Sequence, residues 1–294
     1  MNTVINILKS WLVNLPARYV HAIQNNLQSL PSNTYLGDHR ILLNTKRNHL
    51  LIVDSRDLSL TPQLIHTRTW EESSTRAIET IVQKGMIVVD IGANIGHYSV
   101  ILGTIVGENG KVHAFEANHE VVKLLRDNCD INGLLHTNTI VNNFAVIDSP
   151  QELSLHVLEK HLGSSSIMNF DPAFIERNKE TFRKVSVLGV SLDSYFKKGS
   201  HVDLVRIDAE GSELLILKGM KRVISENPHI VIVAECNKPL LEANGQTVEN
   251  FINAFLQEKF RPYLINSDGS LTLYDNKYFD KHQTTDLVFK RTEW

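Results

Sequence analysis

Cysteine is nearly absent: only Cys129 and Cys236 occur among 294 residues. Two cysteines cannot staple a disulfide framework, and the scarcity fits a reducing compartment. Charge of one sign is missing too. A formal net charge of -3 offers no overall attraction for nucleic acid or an anionic membrane. No run approaches the roughly 18 to 20 apolar residues of a membrane span. There are no internal repeats and no low-complexity tract. What remains is the 42% hydrophobic, 21% charged composition of an ordinary globular chain, long enough for one large domain or a domain with an appendage.

The first residues, MNTVINILKSWLVNLPARYVHAIQNNL, carry apolar positions at roughly helical spacing, but Lys9, Asn14 and Pro16 interrupt them before a signal-peptide core could form. A cytoplasmic protein is expected. A helix packed on its own domain is the plainest reading of this stretch; an amphipathic helix could also meet a membrane or a second subunit, which leaves a homo-oligomer through this appendage open.

Further along, two periods alternate. Short apolar runs rich in β-branched residues lie at Ile87 to Ile91, Val112 to Phe115, Thr139 to Val146, Leu204 to Ile207, Ile230 to Val233 and Asp286 to Phe289. Helically spaced stretches, such as His119 to Asn132 and Glu213 to Glu226, separate several of them. The fold expected is α/β, with a doubly wound, mostly parallel sheet. Two segments break the rhythm. Glu152 to Leu158 and Lys184 to Val190 alternate like half-exposed strands around a polar tip, which predicts a β-hairpin insertion over about 152–190. Ile41 to Asp54 resembles a hairpin turning at Asn48. Residues 1–75 are therefore expected to be an N-terminal helical and hairpin appendage, and 76–294 the sheet domain.

The stretch GMIVVDIGANIGHYS climbs an apolar strand, stops at Asp90, and turns on Gly92 and Gly96. In open α/β sheets, ligands bind beyond the carboxyl ends of the strands. Glu116 ends the next strand, in KVHAFEAN, where a carboxylate can accept both hydroxyls of a ribose. The turn lacks the third glycine of G-x-G-x-x-G, and Asp90 would repel a pyrophosphate. An amino group and a sulfonium would be attracted, and S-adenosylmethionine carries both. The Tyr-x-x-x-Lys pair of one hydride-transfer class is also missing.

DIGANIGHYS, HAFEAN, SLDSYF and LVRIDAEGSELLILKGM together resemble the FkbM-type S-adenosylmethionine-dependent methyltransferases, over about Trp70 to Glu235. The resemblance implies a Rossmann-like, seven-stranded class I methyltransferase sheet of order 3-2-1-4-5-7-6. It implies that Asp90, Gly92, Ala93, Asn94, Gly96 and Ser99 surround the methionine portion of the cofactor. Glu116, Ala117 and Asn118 would serve the ribose, and Asn143, Ala145 and Val146 the adenine. WEESST resembles the family's upstream segment and places Glu71 near the cofactor. His97 stands where relatives often carry an aromatic residue.

Methyl transfer asks for alignment and removal of a proton. Asp208 after the fourth strand and Glu235 after the fifth should converge beside the methyl group, Asp208 also touching the cofactor. Glu210 would share a face with Asp208 if the strand ran on that far; otherwise it is a charge at a helix N-terminus. His161, in KHLGSSS, is a further candidate base. Convergent carboxylates could hold a divalent cation, but without a dense acidic cluster or a His-x-His spacing no metal ligand is assigned. Asp171-Pro-Ala-Phe174 imitates a base-methylating motif yet falls in the insertion. The expected activity is O-methylation of a sugar, glycan or small hydroxylated metabolite, with no nucleic-acid partner; an RNA or protein methyltransferase and a non-catalytic cofactor-binding domain are the alternatives. Acceptor choice is expected to lie in the appendage and in the insertion, whose Gly163 and serine run suit a mobile lid.

Overall fold

The computed structural model describes residues 33–291. The N-terminal stretch expected to be helical lies outside the described residues. The chain opens with an antiparallel meander of β1 (Asn33–Gly37), β2 (Arg40–Asn44) and β3 (Leu50–Asp54). Asn48 turns β2 into β3 at φ 61°, a left-handed conformation that asparagine tolerates better than most residues. Then follow α1 (Thr61–Thr67), α2 (Glu72–Ile81), β4 (Ile87–Ile91), α3 (His97–Val106), β5 (Lys111–Phe115), α4 (Val121–Ile131), β6 (Thr139–Asn142) and β7 (Ala145–Val146). The insertion comprises β8 (Gln151–Leu158), α5 (Pro172–Asn178) and β9 (Phe182–Val190). The chain continues through α6 (Leu192–Tyr195), β10 (Leu204–Ile207), α7 (Glu213–Lys218), α8 (Lys221–Glu226), β11 (Val231–Asn237), α9 (Lys238–Ala243), α10 (Val248–Gln257), β12 (Arg261–Ile265), β13 (Leu271–Leu273) and β14 (Thr284–Lys290).

The main sheet runs β6-β5-β4-β10-β11-β14-β12-β13. Counting its first seven members along the chain, this is the expected 3-2-1-4-5-7-6, with β13 added at the edge. β4, β5, β6, β10 and β11 are parallel, and β14 is antiparallel to β11. The central strands are buried on both faces, all four residues of β10 among them, as a sheet covered by helices on each side requires. A core on one side joins β10 and β11 to α10, where Phe255 stacks on Phe289 at 3.8 Å.

Three departures from the sequence pattern have local causes. The run Thr139 to Val146 is two strands: β6 stays in the main sheet, while β7 leaves it to pair with β9 in a small sheet ordered β7-β9-β8. The helix expected over Glu213 to Glu226 divides into α7 and α8 at Gly219, where a Cβ would lie 2.1 Å from the Ile147 carbonyl oxygen; the chain crosses there too closely for any side chain. β12 contains Pro262, and a proline within a short run argues against a strand when only the sequence is read.

The meander is fixed to the sheet domain by two amides, Asn128 on α4 and Asn132 at its C-terminal cap. Asn128 Oδ1 accepts the Ile52 N–H at 2.6 Å, and its Nδ2 donates to the Ile52 and Ile95 carbonyls at 3.0 and 2.7 Å. One helical turn on, Asn132 does the same for the N–H and carbonyl of Leu50 at 3.1 and 2.7 Å. The two side chains imitate a neighbouring strand along the free edge of β3. Asn128→Ala should unpair three buried backbone groups at about 1 kcal/mol each, a loss of about 3 kcal/mol. The check is the denaturant midpoint; an unchanged midpoint would show that the clamp does not hold the meander.

Candidate active site

Strand order reverses between β4 and β10, and the crevice beyond their carboxyl ends is the expected ligand position. Gly92, at φ 72°, is required there for packing: a Cβ would lie 1.7 Å from the Asp208 carbonyl oxygen. The loops after β4 and β10 touch backbone to backbone. Gly96, at φ 92°, similarly yields to the Leu125 side chain of α4.

Two adjoining cavities occupy the crevice, and Gly92, Gly163, Asp208 and Glu210 line both. The smaller is a narrow slot of about 50 Å³ between Phe115, Phe144, Val146 and Ile167, with Glu116 and Ala117 at its rim and Ala145 in its wall. The larger, about 560 Å³, is lined by Trp70, Glu71, Asn94, His161, Phe170, Phe174, Arg177, Asp208, Glu210 and Glu235 among others. The structure thus brings Asp208, Glu235 and His161 to one cavity. Expected to serve the acceptor alone, the insertion lines both: Ser165, Ser166 and Ile167 wall the slot.

Glu116 is held by the loops on either side, accepting the Asn94 N–H at 2.9 Å and the Asn118 N–H at 2.7 Å, one on each oxygen. Each oxygen keeps a lone pair for a further donor. Asn118 is fully buried and donates to Ser165 Oγ at 3.3 Å. Asn143 faces outward and braces the carbonyls of Glu116 and Ala117 at 2.8 and 3.0 Å; it lines neither cavity, and Phe144 beside it supplies the slot wall.

Asp90 corrects an expectation. It was expected to surround the methionine portion of the cofactor, but its exposure is 0 % and it lines neither cavity. Ser99, also fully buried, donates to Asp90 Oδ2 at 2.6 Å, and Arg206 Nη1 approaches Oδ1 at 3.3 Å. Arg206, 3 % exposed, is the residue that sequence reading passed over. Its Nη2 lies 2.7 Å from Asp208 Oδ2 and 3.8 Å from Glu71 Oε2, and its guanidinium sits 3.9 Å from the Tyr98 ring centroid. The signal was present: an arginine inside the apolar run LVRI must find a buried partner.

Glu210 is also placed differently. β10 ends at Ile207, and Glu210 follows in a left-handed conformation at φ 50°, so no strand carries it onto a face with Asp208. The turn is capped instead by Glu213, whose Oε1 accepts the Ala209 and Gly211 N–H groups at 3.1 and 3.2 Å. His97 is 6 % exposed with neither ring nitrogen hydrogen-bonded; burial and then the Arg206 charge push it down to about 3. It serves as a neutral ring, edge-on to Tyr98.

One arginine faces many carboxyls. Burial, then Asp286 and Asp208, raises Glu71 to about 8; burial and Asp208 raise Glu210 to about 8. Burial pushes Glu116 and Glu213 up to about 7. Glu235, directly opposite Asp286 in the β11–β14 ladder, is also raised, by burial and then by Asp208. Among the described residues no group of three or more metal-binding side chains has the arrangement of a metal site, and no helix is long and apolar enough to cross a membrane.

The donor set fits S-adenosylmethionine: an apolar slot for a planar base, a carboxylate with spare lone pairs for a diol, and an acidic chamber for an ammonium and a sulfonium. Sheet order and switch-point crevice define a class I methyltransferase. A family model, the methyltransferase FkbM domain, matches residues 90–262, and the chain belongs to that S-adenosylmethionine-dependent family. A curated relative from Sulfolobus acidocaldarius, named "Probable cobalt-precorrin-6B C(15)-methyltransferase (decarboxylating)", is 28% identical over 161 residues, covering 51% of this chain and 80% of that one. Among solved structures, an S-adenosylmethionine-dependent O-methyltransferase from Thermotoga maritima aligns with a TM-score of 0.43 at 14% identity, over 92% of this chain and 98% of that one. Methyltransferase FkbM from Methylobacillus flagellatus aligns with a TM-score of 0.42 at 14% identity, over 71% of this chain and 43% of that one. The family match carries the assignment; these structural scores add nothing to it.

Two predictions follow from the charge arrangement. Arg206→Met should strand Asp90 as an unpaired buried charge and cost about 3 to 5 kcal/mol, while adding Asp90→Asn should restore much of the loss in denaturant melts; additive losses would deny the pairing. Second, Glu71, Glu116, Glu210 and Glu213 have folded values of about 7 to 8, above their ordinary 4.5. The folded state therefore binds more protons than the unfolded one within that interval, so stability falls as pH rises through it. The thermal midpoint of the cofactor-free protein should decline between about pH 5 and pH 8, and S-adenosylmethionine should flatten the decline by supplying positive charge. A midpoint that rises across this range would contradict the assignment.

Proposed function

We propose that the protein methylates a hydroxyl of a sugar, glycan or small hydroxylated metabolite. The observation that carries this is the larger cavity, which meets the cofactor slot at Asp208. Its carboxyls can hydrogen-bond several hydroxyls, while Trp70, Phe170 and Phe174 offer aromatic surface for the apolar face of a sugar ring. Arg177 is the single arginine or lysine among its described lining residues, beside Glu71, Asp171, Asp208, Glu210 and Glu235, so the cavity offers little positive charge to the phosphates of an RNA.

In this reading Glu116 and Ala117 hold the ribose and Phe144, Ala145 and Val146 the adenine, with Ser165 to Ile167 parting to admit it, because the slot is smaller than a purine. Gly92, Ala93, Asn94 and Gly96 shape the turn beneath the methionine portion, and Glu71 and Asp208 face its positive centres. Asp90 and Ser99 act from behind, by fixing Arg206. When bound, the cofactor supplies a methyl on a sulfonium, an activated leaving group. The acceptor oxygen must approach in line as the carbon–sulfur bond breaks and the electron pair passes to sulfur. The acceptor proton needs a base. Burial and Asp208 raise the Glu235 carboxyl, which can hydrogen-bond the acceptor hydroxyl, and His161, in the wall of the same cavity, receives the proton.

Calorimetric titration with S-adenosylmethionine comes first, followed by methyl transfer to methyl glycosides of neutral, deoxy and amino sugars, with RNA and protein as the competing acceptors. Ether products are expected; transfer confined to RNA or protein would replace this reading, and absence of cofactor binding would leave a non-catalytic domain. Replacing Phe170 and Phe174 by Ala should leave cofactor affinity within about twofold while raising the acceptor KM about tenfold or more, the scale of one lost aromatic contact. An unchanged KM would place the acceptor elsewhere.

A further inference from the structure

We propose that Glu180, on the turn between α5 and β9, is the positioning residue of the base: it binds the Nδ1–H of His161 and so turns Nε2 toward the acceptor hydroxyl as a proton acceptor. The inference rests on the O-methylation reading above and adds a residue to it. Glu180 is 6 % exposed. Its Oε1 accepts the N–H groups of Glu159, Lys160 and Thr181 at 3.2, 3.1 and 3.1 Å, and its Oε2 lies 2.5 Å from His161 Nδ1. Burial works against the charge, but the His161 hydrogen bond and the backbone donors outweigh it and hold the carboxyl below its ordinary value.

An ionised carboxylate only accepts. Nδ1 must therefore carry a proton, and in a neutral imidazole Nε2 is then the free base. Nε2 has no hydrogen-bond partner among the described residues, and His161 lines the larger cavity together with Asp208, Glu210 and Glu235. The ring is held from the side by the Phe174 edge, with centroids 5.2 Å apart. The loop carrying Glu180 is itself clasped: Lys160 Nζ donates to the Asn178 and Lys179 carbonyls at 3.2 and 2.5 Å. The transfer balances: the acceptor O–H bond breaks, its proton goes to Nε2, the oxygen–carbon bond forms, and the sulfur keeps the electron pair of the broken bond.

Glu180→Gln is the informative variant because it keeps the shape and inverts the chemistry. The three backbone N–H groups hold the amide oxygen where Oε1 was, so the amide nitrogen points at His161 and donates to Nδ1. The proton of the neutral ring then sits on Nε2, the wrong end. Long-range ¹⁵N–¹H spectra of the full chain should show the Nδ1–H form of His161 in the wild type and the Nε2–H form in the variant, with S-adenosylmethionine affinity unchanged. Transfer from radiolabelled cofactor to the methyl glycoside panel should fall at least about tenfold in kcat with little change in KM, the scale of lost general-base catalysis. Imidazole should partly rescue His161→Gly, which a structural role would not allow. An Nε2–H tautomer in the wild type, or a variant with the inverted tautomer that turns over as fast as wild type, overturns the positioning role. A wild type that shows the Nδ1–H form but makes no ether product fails the O-methylation reading, and the base falls with it.

Discussion

The site depends on one buried guanidinium. Arg206 stands beside Asp90 in the parallel β10–β4 ladder and beside Val233 in the β10–β11 ladder. Because alternate residues of a strand share a face, Glu235 and its antiparallel partner Asp286 lie on the side occupied by Arg206. Asp208, at the end of β10, turns back to the same cation. A buried ion network of this kind gains little net stability over an apolar core. What it gains is position: the carboxylates of Asp90, Asp208 and Glu71 are referred to one planar fork, and the loops of β4 and β10 can touch because Gly92 has no side chain.

The remaining acid is left under-compensated. Residues that satisfy most of their needs within the protein, such as Glu213 and Asp90, shape the crevice, whereas Glu71, Glu210 and Glu235 meet one another across a cavity with a single arginine at its rim. Such a chamber is costly when it holds only water and improves when a cation enters, so the same repulsion that lowers stability favours a sulfonium and an ammonium. This charge suits the cofactor of the family.

The sheet and the turns at the carboxyl ends of its strands were legible because they repeat local physics: β-branched runs of strand length, glycines where the backbone must turn, and carboxylates at strand ends. Arg206 was hidden by its neighbours, since a lone charge in LVRI reads as a strand residue until the burial of Asp90 is known. Glu210 was not carried onto a face with Asp208 because the end of β10 is set by its partners in the sheet, which no count along the sequence gives. β12 escaped through Pro262, and the break at Gly219 through a contact with Ile147, a residue distant in sequence. Glu180 lay nineteen positions from His161 with no motif to join them; only the closure of the β8–β9 hairpin does so.

That closure explains why the proposed base belongs to the insertion and not to the sheet. The strand-end carboxyls compete for one arginine, and burial keeps Glu235 and Glu210 from ionising readily. His161 stands apart from this charge group, with a counter-charge of its own in Glu180. The β8–β9 hairpin brings both at once: its full antiparallel register from Gln151↔Gly189 to Leu158↔Phe182 sets residues 159 and 181 side by side, and the loop between them folds His161 onto Glu180. The element grafted onto the sheet therefore carries the proposed proton acceptor together with Phe170 and Phe174, and it also walls the slot proposed for the cofactor. A change of acceptor can then evolve within one hairpin without disturbing the arginine on which the rest is built.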